Sequence, residues 1–309
     1  MHEVLVRAHG LTKRFGGFTA VDGIDFELVR GEAFGFLGPN GAGKSSTMRM
    51  LGCVSPPTDG DLTILGGDPR RDGAAIRARL GVVPQEDTLD QELTVRENLL
   101  VYGRYFGLPR KLINERTAEL LDFVQLTERA GDQVEPLSGG MKRRLTIARS
   151  LINEPDILIL DEPTTGLDPQ ARHVVWDRLF TLKQRGVTLI LTTHYMDEAE
   201  QLCDRLVVMD HGKIAAEGTP RELIERYSTP EVIELRFAPG QLEVAAEKIK
   251  DLSPERLEPT ADRLLIYAAG GDEFLARVHG AGLEPLTELV RRSSLEDVFL
   301  QLTGRTLIE

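Results

Sequence analysis

Residues Gly38-Pro39-Asn40-Gly41-Ala42-Gly43-Lys44-Ser45 match G-x-x-x-x-G-K-[ST], with Ser46 following, and the chemistry served by this spacing is the binding of phosphate. Glycines let the backbone amides from Gly41 to Ser46 curl around phosphate oxygens at the start of a helix, where the dipole favours an anion. Lys44 supplies a point charge for the β and γ phosphates, and the Ser45 hydroxyl is suited to Mg2+. A plain glycine turn needs neither the lysine nor the flanking pattern, a buried strand AFGFL before it and a helical run KSSTMRML after it.

The stretch ILILDEP carries two carboxylates, Asp161 and Glu162, to the C-terminal end of an apolar strand, the edge at which open α/β sheets bind ligands. One carboxylate there can hold Mg2+ through water, and a second can accept a proton from an attacking water. Acid-proline sequences also end strands with no chemistry attached; it is the pairing with a phosphate loop on another strand that makes a catalytic site. Thr192-Thr193-His194 ends the next strand, and His194 is suited to donate a hydrogen bond to a γ-phosphate, with a solvated loop histidine as the plain alternative. Gln85 in GVVPQED follows a strand and is by default a loop amide. Asp168, before Pro169, reads as a helix N-cap with proline at the first helical position.

LSGGMKRR, Leu137 to Arg144, is a different kind of signal. Two glycines weaken a helix start unless something uses the bare backbone. The Ser138 hydroxyl and the Gly139 and Gly140 amides, at the head of a helix expected over Lys142 to Asn153, form a second anion receptor of the same physical kind as the first. One nucleotide does not need two such receptors. The spacing is accounted for if two copies of the chain pair head to tail about a two-fold axis, each phosphate loop meeting the other copy's serine-glycine loop.

These residues must be carried to one edge by the elements between them. Short apolar runs at Ala33 to Leu37, Ile157 to Leu160, Thr188 to Leu191 and Leu206 to Met209 alternate with helical patterns, which predicts an α/β fold with a largely parallel central sheet. From about Leu93 to Glu135 the texture is helical instead: Val95, Leu99, Tyr102 and Phe106 share one face, and Leu112, Arg116, Leu120 and Val124 suggest a second helix. With the helix after Ser138, this predicts a helical subdomain over about 93–150. At Tyr227-Ser228-Thr229-Pro230 the pattern changes again. Ile233, Leu235 and Phe237 alternate with charged residues, strands follow near Leu264 to Tyr267 and Leu286 to Val290, and a last helix is capped by Ser294 with Asp297 three residues on. The expected division is a 1–229 domain and a small 230–309 α/β appendage.

Composition sets the outer limits. Of 309 residues 41% are hydrophobic and 28% charged, ordinary for a soluble domain, and the net charge of -12 argues against broad attraction to nucleic acid or an anionic membrane. No apolar run approaches the roughly 18 residues of a membrane span, and the start MHEVLVRAHG lacks the pattern of a secretory leader, so the cytosol is the expected compartment. Cys53 and Cys203 lie far apart in apolar surroundings and read as reduced packing residues.

From Val4 to about Tyr227 the ordered motifs resemble the nucleotide-binding subunit of an ATP-binding cassette (ABC) transporter. The fold implied is the ABC-type P-loop NTPase core with a helical insert, and the activity implied is ATP hydrolysis with Mg2+. By that resemblance Phe15 in KRFGGF stacks on adenine, and Gln85 touches Mg2+ and links to the membrane partner. Ser138, Gly139 and Gly140 are the signature, Asp161 the Mg2+ carboxylate and Glu162 the general base. Gly166-Leu167-Asp168 is the loop crossing the dimer, and His194 the γ-phosphate switch. Met141 stands where the family most often has glutamine, and Gly166 where a small polar or other small residue is frequent, a departure expected to be tolerated. LSGGMKRR, DEPTTGLDPQAR, TTHYMDEAEQLCDR and the terminal SSLEDVFLQLTGR look most like nodulation lipo-oligosaccharide and daunorubicin-type drug-resistance exporters. The resemblance implies a homodimer on the inner face of the cell membrane, held there by a separately encoded permease and energising export. The rivals are cassette ATPases of DNA repair, which split the motifs with long coiled coils, translation-linked proteins with two cassettes in one chain, and regulators that use nucleotide only to dimerise.

Overall fold

Where a strand is covered on both faces it reads as an unbroken apolar run, and where one face is wet it alternates. Both patterns occur: β-strands Phe18–Val29 and Asp59–Ile64 alternate, whereas Ala33–Leu37 and Thr188–Thr193 are buried throughout. The computed structural model describes residues 3–304, and these form two compact units that divide between Glu217 and Gly218.

The first unit opens with long strands β1 (Val4–Phe15) and β2 (Phe18–Val29), then β3 (Ala33–Leu37), α1 (Lys44–Leu51), β4 (Asp59–Ile64), α2 (Pro69–Arg77) and β5 (Leu80–Val83). Helices α3 (Val95–Tyr105), α4 (Arg110–Phe123) and α5 (Gly139–Ser150) follow. After them β6 (Ile157–Asp161), α6 (Pro169–Gln184), β7 (Thr188–Thr193), α7 (Met196–Leu202), β8 (Arg205–Asp210) and β9 (Lys213–Gly218) complete the unit. Two sheets result. One has the order β2-β1-β4, with β1 antiparallel to both neighbours; the other has six strands in the order β5-β6-β7-β3-β8-β9. The pairs β5–β6, β6–β7, β7–β3 and β3–β8 are parallel, as the apolar runs predict.

This strand order decides the chemistry. Neighbours β6, β7 and β3 end together, bringing Asp161, Thr192 and the loop after Leu37 to one edge although they are far apart in sequence. Beneath that edge Phe26, Phe34 and Phe36 pack with ring centroids 5.1 to 5.9 Å apart in a core that includes Leu11, Ile24, Met50 and Ile159. The helical insert has its own core, with Val95, Leu99, Leu121, Val124, Leu145 and Ala148 all buried. Its first helix is set by a capping box, Thr94 Oγ1 accepting from the Glu97 amide at 3.2 Å while Glu97 accepts from the Thr94 amide at 2.9 Å. α5 begins three residues earlier than expected, at Gly139, so the two glycines form its first turn.

In the second unit α8 (Pro220–Tyr227) precedes β10 (Glu231–Arg236), α9 (Leu242–Asp251), β11 (Arg256–Pro259), β12 (Leu264–Tyr267), α10 (Gly271–Gly280), β13 (Thr287–Arg292) and α11 (Leu295–Thr303). Sheet order β11-β12-β10-β13, with every pair antiparallel, is the split β-α-β ferredoxin-like topology. Ile233, Leu235, Ala245, Ile249, Ile266, Phe274 and Val278 make its core. Composition changes at Tyr227 because α8 ends there; α8 itself packs on α11 and belongs with the second unit. Asp297 accepts from the Ser294 amide at 2.8 Å, as the terminal capping pattern predicts.

Candidate nucleotide site

Strand β3 delivers the chain to Gly38, and the loop ends at Gly43, which caps α1 with φ at +103°. An L side chain is strained in that conformation, and a Cβ there would strike the Ala20 carbonyl oxygen. α1 has no side-chain cap and no acidic residue in its first turn, so its amides remain available to an anion. Lys44 is only 4% exposed; its ammonium donates to Gly38 O at 2.7 Å and Pro39 O at 3.0 Å and lies 3.6 Å from Glu162 Oε1. Burial pulls the Lys44 ammonium below its ordinary range, against the opposing pull of Glu162 and Asp161.

Across the strand ends, the carboxylates are set by a residue whose importance the sequence did not signal. Thr192 Oγ1 donates to Asp161 Oδ1 at 2.6 Å and accepts from the Glu162 amide at 2.9 Å, a bridge possible because Asp161 and Thr192 are register partners of β6 and β7. Ser45 Oγ lies 3.4 Å from Asp161 Oδ1. Glu162 itself has φ +47°, uncommon for a non-glycine residue, which turns its buried side chain into the cleft. There Gln85 Nε2 and Thr165 Oγ1 each donate to Glu162 Oε2 at 3.1 Å. His194 Nδ1 approaches the same oxygen at 3.4 Å without hydrogen-bond alignment, and no partner satisfies that buried nitrogen among the described residues. The His194 imidazole first, then the Lys44 charge and the Thr165 hydroxyl, hold the Glu162 carboxyl below the usual range although burial works the other way. It is therefore an ionised acceptor at neutral pH.

Lys44, Ser45, Ser46, Asn40, Gln85 and Glu162 line a cleft of about 200 Å³ whose outer wall is Phe18. Phe15, expected to stack on the base, is Phe18's partner across the hairpin and lies outside this lining, 50% exposed, with the Lys13 ammonium 5.0 Å from its ring centroid. Asp168 acts as the N-cap it was read to be, accepting from the Ala171 amide at 2.9 Å. Ser138 caps α5 by accepting from Met141 at 3.3 Å, and Ser138, Gly139 and Gly140 do not line the cleft of their own chain. A Cβ on Gly140 would come within 2.7 Å of Ala171 Cβ, so close packing on α6 accounts for the second glycine of the signature. Met141 packs into the insert core, which explains an apolar residue at a position often polar.

Three further residues shape the site without a motif to announce them. Arg143, in the basic run after the glycines, donates to the backbone carbonyls of Pro84, Asp161, Glu162 and Pro163. Glu198, fully buried, accepts from Thr164 Oγ1 at 2.8 Å and Trp176 Nε1 at 2.9 Å and so braces the loop beyond Glu162. Thr165 is the third, its hydroxyl resting on the Glu162 carboxylate. The arrangement as a whole is an anion cradle with a buried ammonium on one side and an ionised carboxylate on the other.

The model of the ABC transporter family matches residues 21–165, and that of the nodulation factor export protein NodI C-terminal domain matches residues 243–304. Nod factor export ATP-binding protein I of Rhizobium sp. (strain N33) is 48% identical over 310 residues, covering 99% of both chains. The protein of the same name from Ralstonia nicotianae is 46% identical, over 98% of this chain and 95% of its own. Among solved structures, cbiO1 from Clostridium perfringens, part of an ABC transporter complex, is 29% identical with TM-score 0.67, over 72% of this chain and 91% of that one. A dimeric ATP-binding cassette in a post-hydrolysis state with ADP and Pi is 27% identical with TM-score 0.64, over 70% of this chain and 98% of that one. Phosphate loop, paired carboxylates and signature helix thus sit in a fold and a full-length sequence that agree: this chain belongs to the ABC transporter family, as an ATP-binding, ATP-hydrolysing subunit of an export system.

Proposed function

We propose that the chain works as a Mg2+-dependent homodimer that powers, through a separate permease at the inner face of the cell membrane, the export of a lipo-oligosaccharide of the Nod-factor type. The substrate class rests on the whole-length similarity to relatives named for Nod factor export. The hydrolytic reading rests on one observation: the ionised Glu162 carboxylate, aimed into the cleft by Gln85 and Thr165 with His194 beside it, lies 3.6 Å from the Lys44 ammonium. Bound with the nucleotide, Mg2+ would neutralise β- and γ-phosphate oxygens. No cluster of three or more His, Cys, Asp or Glu able to cage a metal occurs among the described residues. A single carboxylate with a hydroxyl, Asp161 and Ser45, with Gln85 near, suits Mg2+ held largely by phosphate and water.

The roles then divide by position. Amides of Gly41 to Ser46 and the Lys44 ammonium bind the phosphates, Asn40 and Pro39 shape the loop, and Phe15 or its hairpin partner Phe18 faces the base. Glu162 accepts a proton from the attacking water, and His194 donates to the γ-phosphate. Ser138, Gly139 and Gly140 close on the partner copy's nucleotide, with Asp168 at the loop between the copies; their exclusion from their own cleft supports a two-chain site, as do the dimeric cassettes among the similar structures.

Permease contact falls to the face beside Gln85. A groove of about 410 Å³ is lined there by Val82, Pro84, Thr88, Tyr102, Tyr105 and Arg149, and Tyr105 is 79% exposed. Its mixture of aromatic rings and one cation suits a short amphipathic segment of the permease. No helix among the described residues is long and apolar enough to cross a membrane. The reading is tested by Glu162→Gln: loss of at least the roughly 10²- to 10⁴-fold typical of a general base, with ATP binding preserved, is expected. Wild-type turnover in that variant would remove Glu162 from the mechanism.

A further inference from the structure

Arg143 bonds both the backbone around Glu162 and the residue before Gln85, yet does not line the cleft. Its Nε donates to Pro163 O at 2.6 Å, its Nη2 to Asp161 O at 3.0 Å and Glu162 O at 3.1 Å, and its Nη1 to Pro84 O. Three of these acceptors are consecutive residues centred on Glu162, whose backbone is in the left-handed region. The fourth immediately precedes Gln85. Six residues further along the same helix, Arg149 donates to Thr88 O at 2.6 Å and Thr88 Oγ1 at 2.5 Å. The segment that carries Gln85 is therefore gripped at both ends by α5, and α5 is the helix headed by Ser138.

Packing alone does not call for a guanidinium here. Burial is strong enough to pull Arg143 down to about 10, against the charges of Glu198, Asp161, Asp87 and Glu162 that favour its ionised form. An apolar residue would avoid that penalty. What arginine alone supplies is five N–H donors in one plane, enough for four carbonyls at once; lysine has three donors on a tetrahedral centre, and glutamine two.

We propose that Arg143 is a positioning residue for hydrolysis: through it the helix headed by Ser138 fixes the Asp161–Pro163 backbone and the Gln85 loop, so that Glu162 is aimed at the cleft. This rests on the assignment of Glu162 as general base. It follows that the groups meeting the partner copy's nucleotide and the groups hydrolysing the chain's own nucleotide are joined by a single rigid helix, a direct route by which one site of the dimer senses the other.

The test is steady-state ATP hydrolysis by the full chain in Arg143→Gln, Arg143→Lys, Glu162→Gln and the double variant Arg143→Gln/Glu162→Gln. Arg143→Gln should lower kcat ten- to a hundredfold with KM for ATP within threefold, and Arg143→Lys should recover at least threefold of that loss. Because Arg143 acts through Glu162, the double variant should turn over within threefold of Glu162→Gln alone, whereas a merely structural residue would multiply the two losses. Should Arg143→Gln fail to fold, Arg143→Lys reads the same split, with kcat down at least threefold at constant KM. Normal kcat in the Arg143 variants, a rise in KM matching the fall in kcat, or multiplied losses in the double variant would overturn the inference. Full turnover in Glu162→Gln would instead overturn the general-base assignment, and this inference with it.

Discussion

Replacing Thr192 by valine removes one oxygen and almost no volume, and it isolates what holds the two carboxylates in register. The side chain is wholly buried in β7, where valine is a good strand former, so the backbone should stay in place. Two hydrogen bonds disappear: the charge-assisted one to Asp161, worth roughly 1.5–3 kcal/mol, and the one from the Glu162 amide, whose loss leaves a buried N–H unpaired at about 1–3 kcal/mol. Asp161 still has Ser45 nearby, so relaxation offsets part of the sum, and a stability loss of roughly 3 kcal/mol is expected. The catalytic share is what matters. Glu162 holds a left-handed φ that costs on the order of 1 kcal/mol or more, and the Thr192 contact is one of the bonds that stabilise it. If about 2 kcal/mol of the loss falls on the transition state alone, kcat drops about thirtyfold at unchanged ATP affinity. Thr188→Val is the control: Thr188 begins the same strand, equally buried, accepting from the Gly31 amide at 2.9 Å at the end opposite the carboxylates. It should cost stability without slowing turnover. ATP hydrolysis, nucleotide binding and thermal unfolding measured on both variants decide the matter; kcat within twofold of wild type in Thr192→Val, or equal losses in the two variants, would refute the reasoning.

Gly43→Ala puts a Cβ against the Ala20 carbonyl at a φ that L residues avoid, so titration with a fluorescent ATP analogue should show binding weakened at least tenfold, roughly 1.4 kcal/mol or more. In the second unit, burial pushes the Asp297 carboxyl up, but the Arg291 guanidinium at 2.7 and 3.0 Å, the Ser294 amide and the Tyr267 hydroxyl pull it further down, to a net value below the usual range. A depressed carboxyl binds fewer protons in the native than in the unfolded state, so its stabilisation is complete above the unfolded value near 4 and is lost as pH falls through the folded value. Asp297→Asn should therefore cost the second unit about 3 kcal/mol at neutral pH and flatten its acid unfolding profile, which denaturant titration at pH 7 and below pH 4 would detect. Tyr105→Ala, at an exposed position of the groove, should leave stability and the ATP turnover of the isolated subunit within twofold but reduce co-purification with the permease by at least tenfold.

Much of the site is legible in one dimension because its chemistry is done by backbone. A glycine-rich loop, a serine with two glycines and a strand ending in Asp-Glu-Pro are local signals: each residue type is required by the conformation of its own segment. Thr192, Arg143 and Glu198 are not legible in that way. A threonine in an apolar strand, an arginine in a basic run and a glutamate in an acidic helix all have ordinary surface readings, and only their partners, 18 to 59 residues away for the Arg143 bonds, show otherwise. The hairpin shows the same limit from the other side: Phe15 and Phe18 are equally good aromatics in KRFGGF, and the turn between them puts Phe18 on the cleft wall.

By itself, then, the amino-acid order determined where the glycine-rich anion cradles lie, which strand ends carry acid, and that α/β units alternate, since each of these follows from short-range sterics and hydrophobic period. Tertiary structure alone decided that β6, β7 and β3 are neighbours, that Thr192 bridges Asp161 and Glu162, and that the helix beginning at Ser138 grips both the Gln85 loop and the Glu162 backbone. The physical reason is that strand order and buried hydrogen bonds are chosen by the free energy of the whole packed unit. No local window of sequence contains both partners.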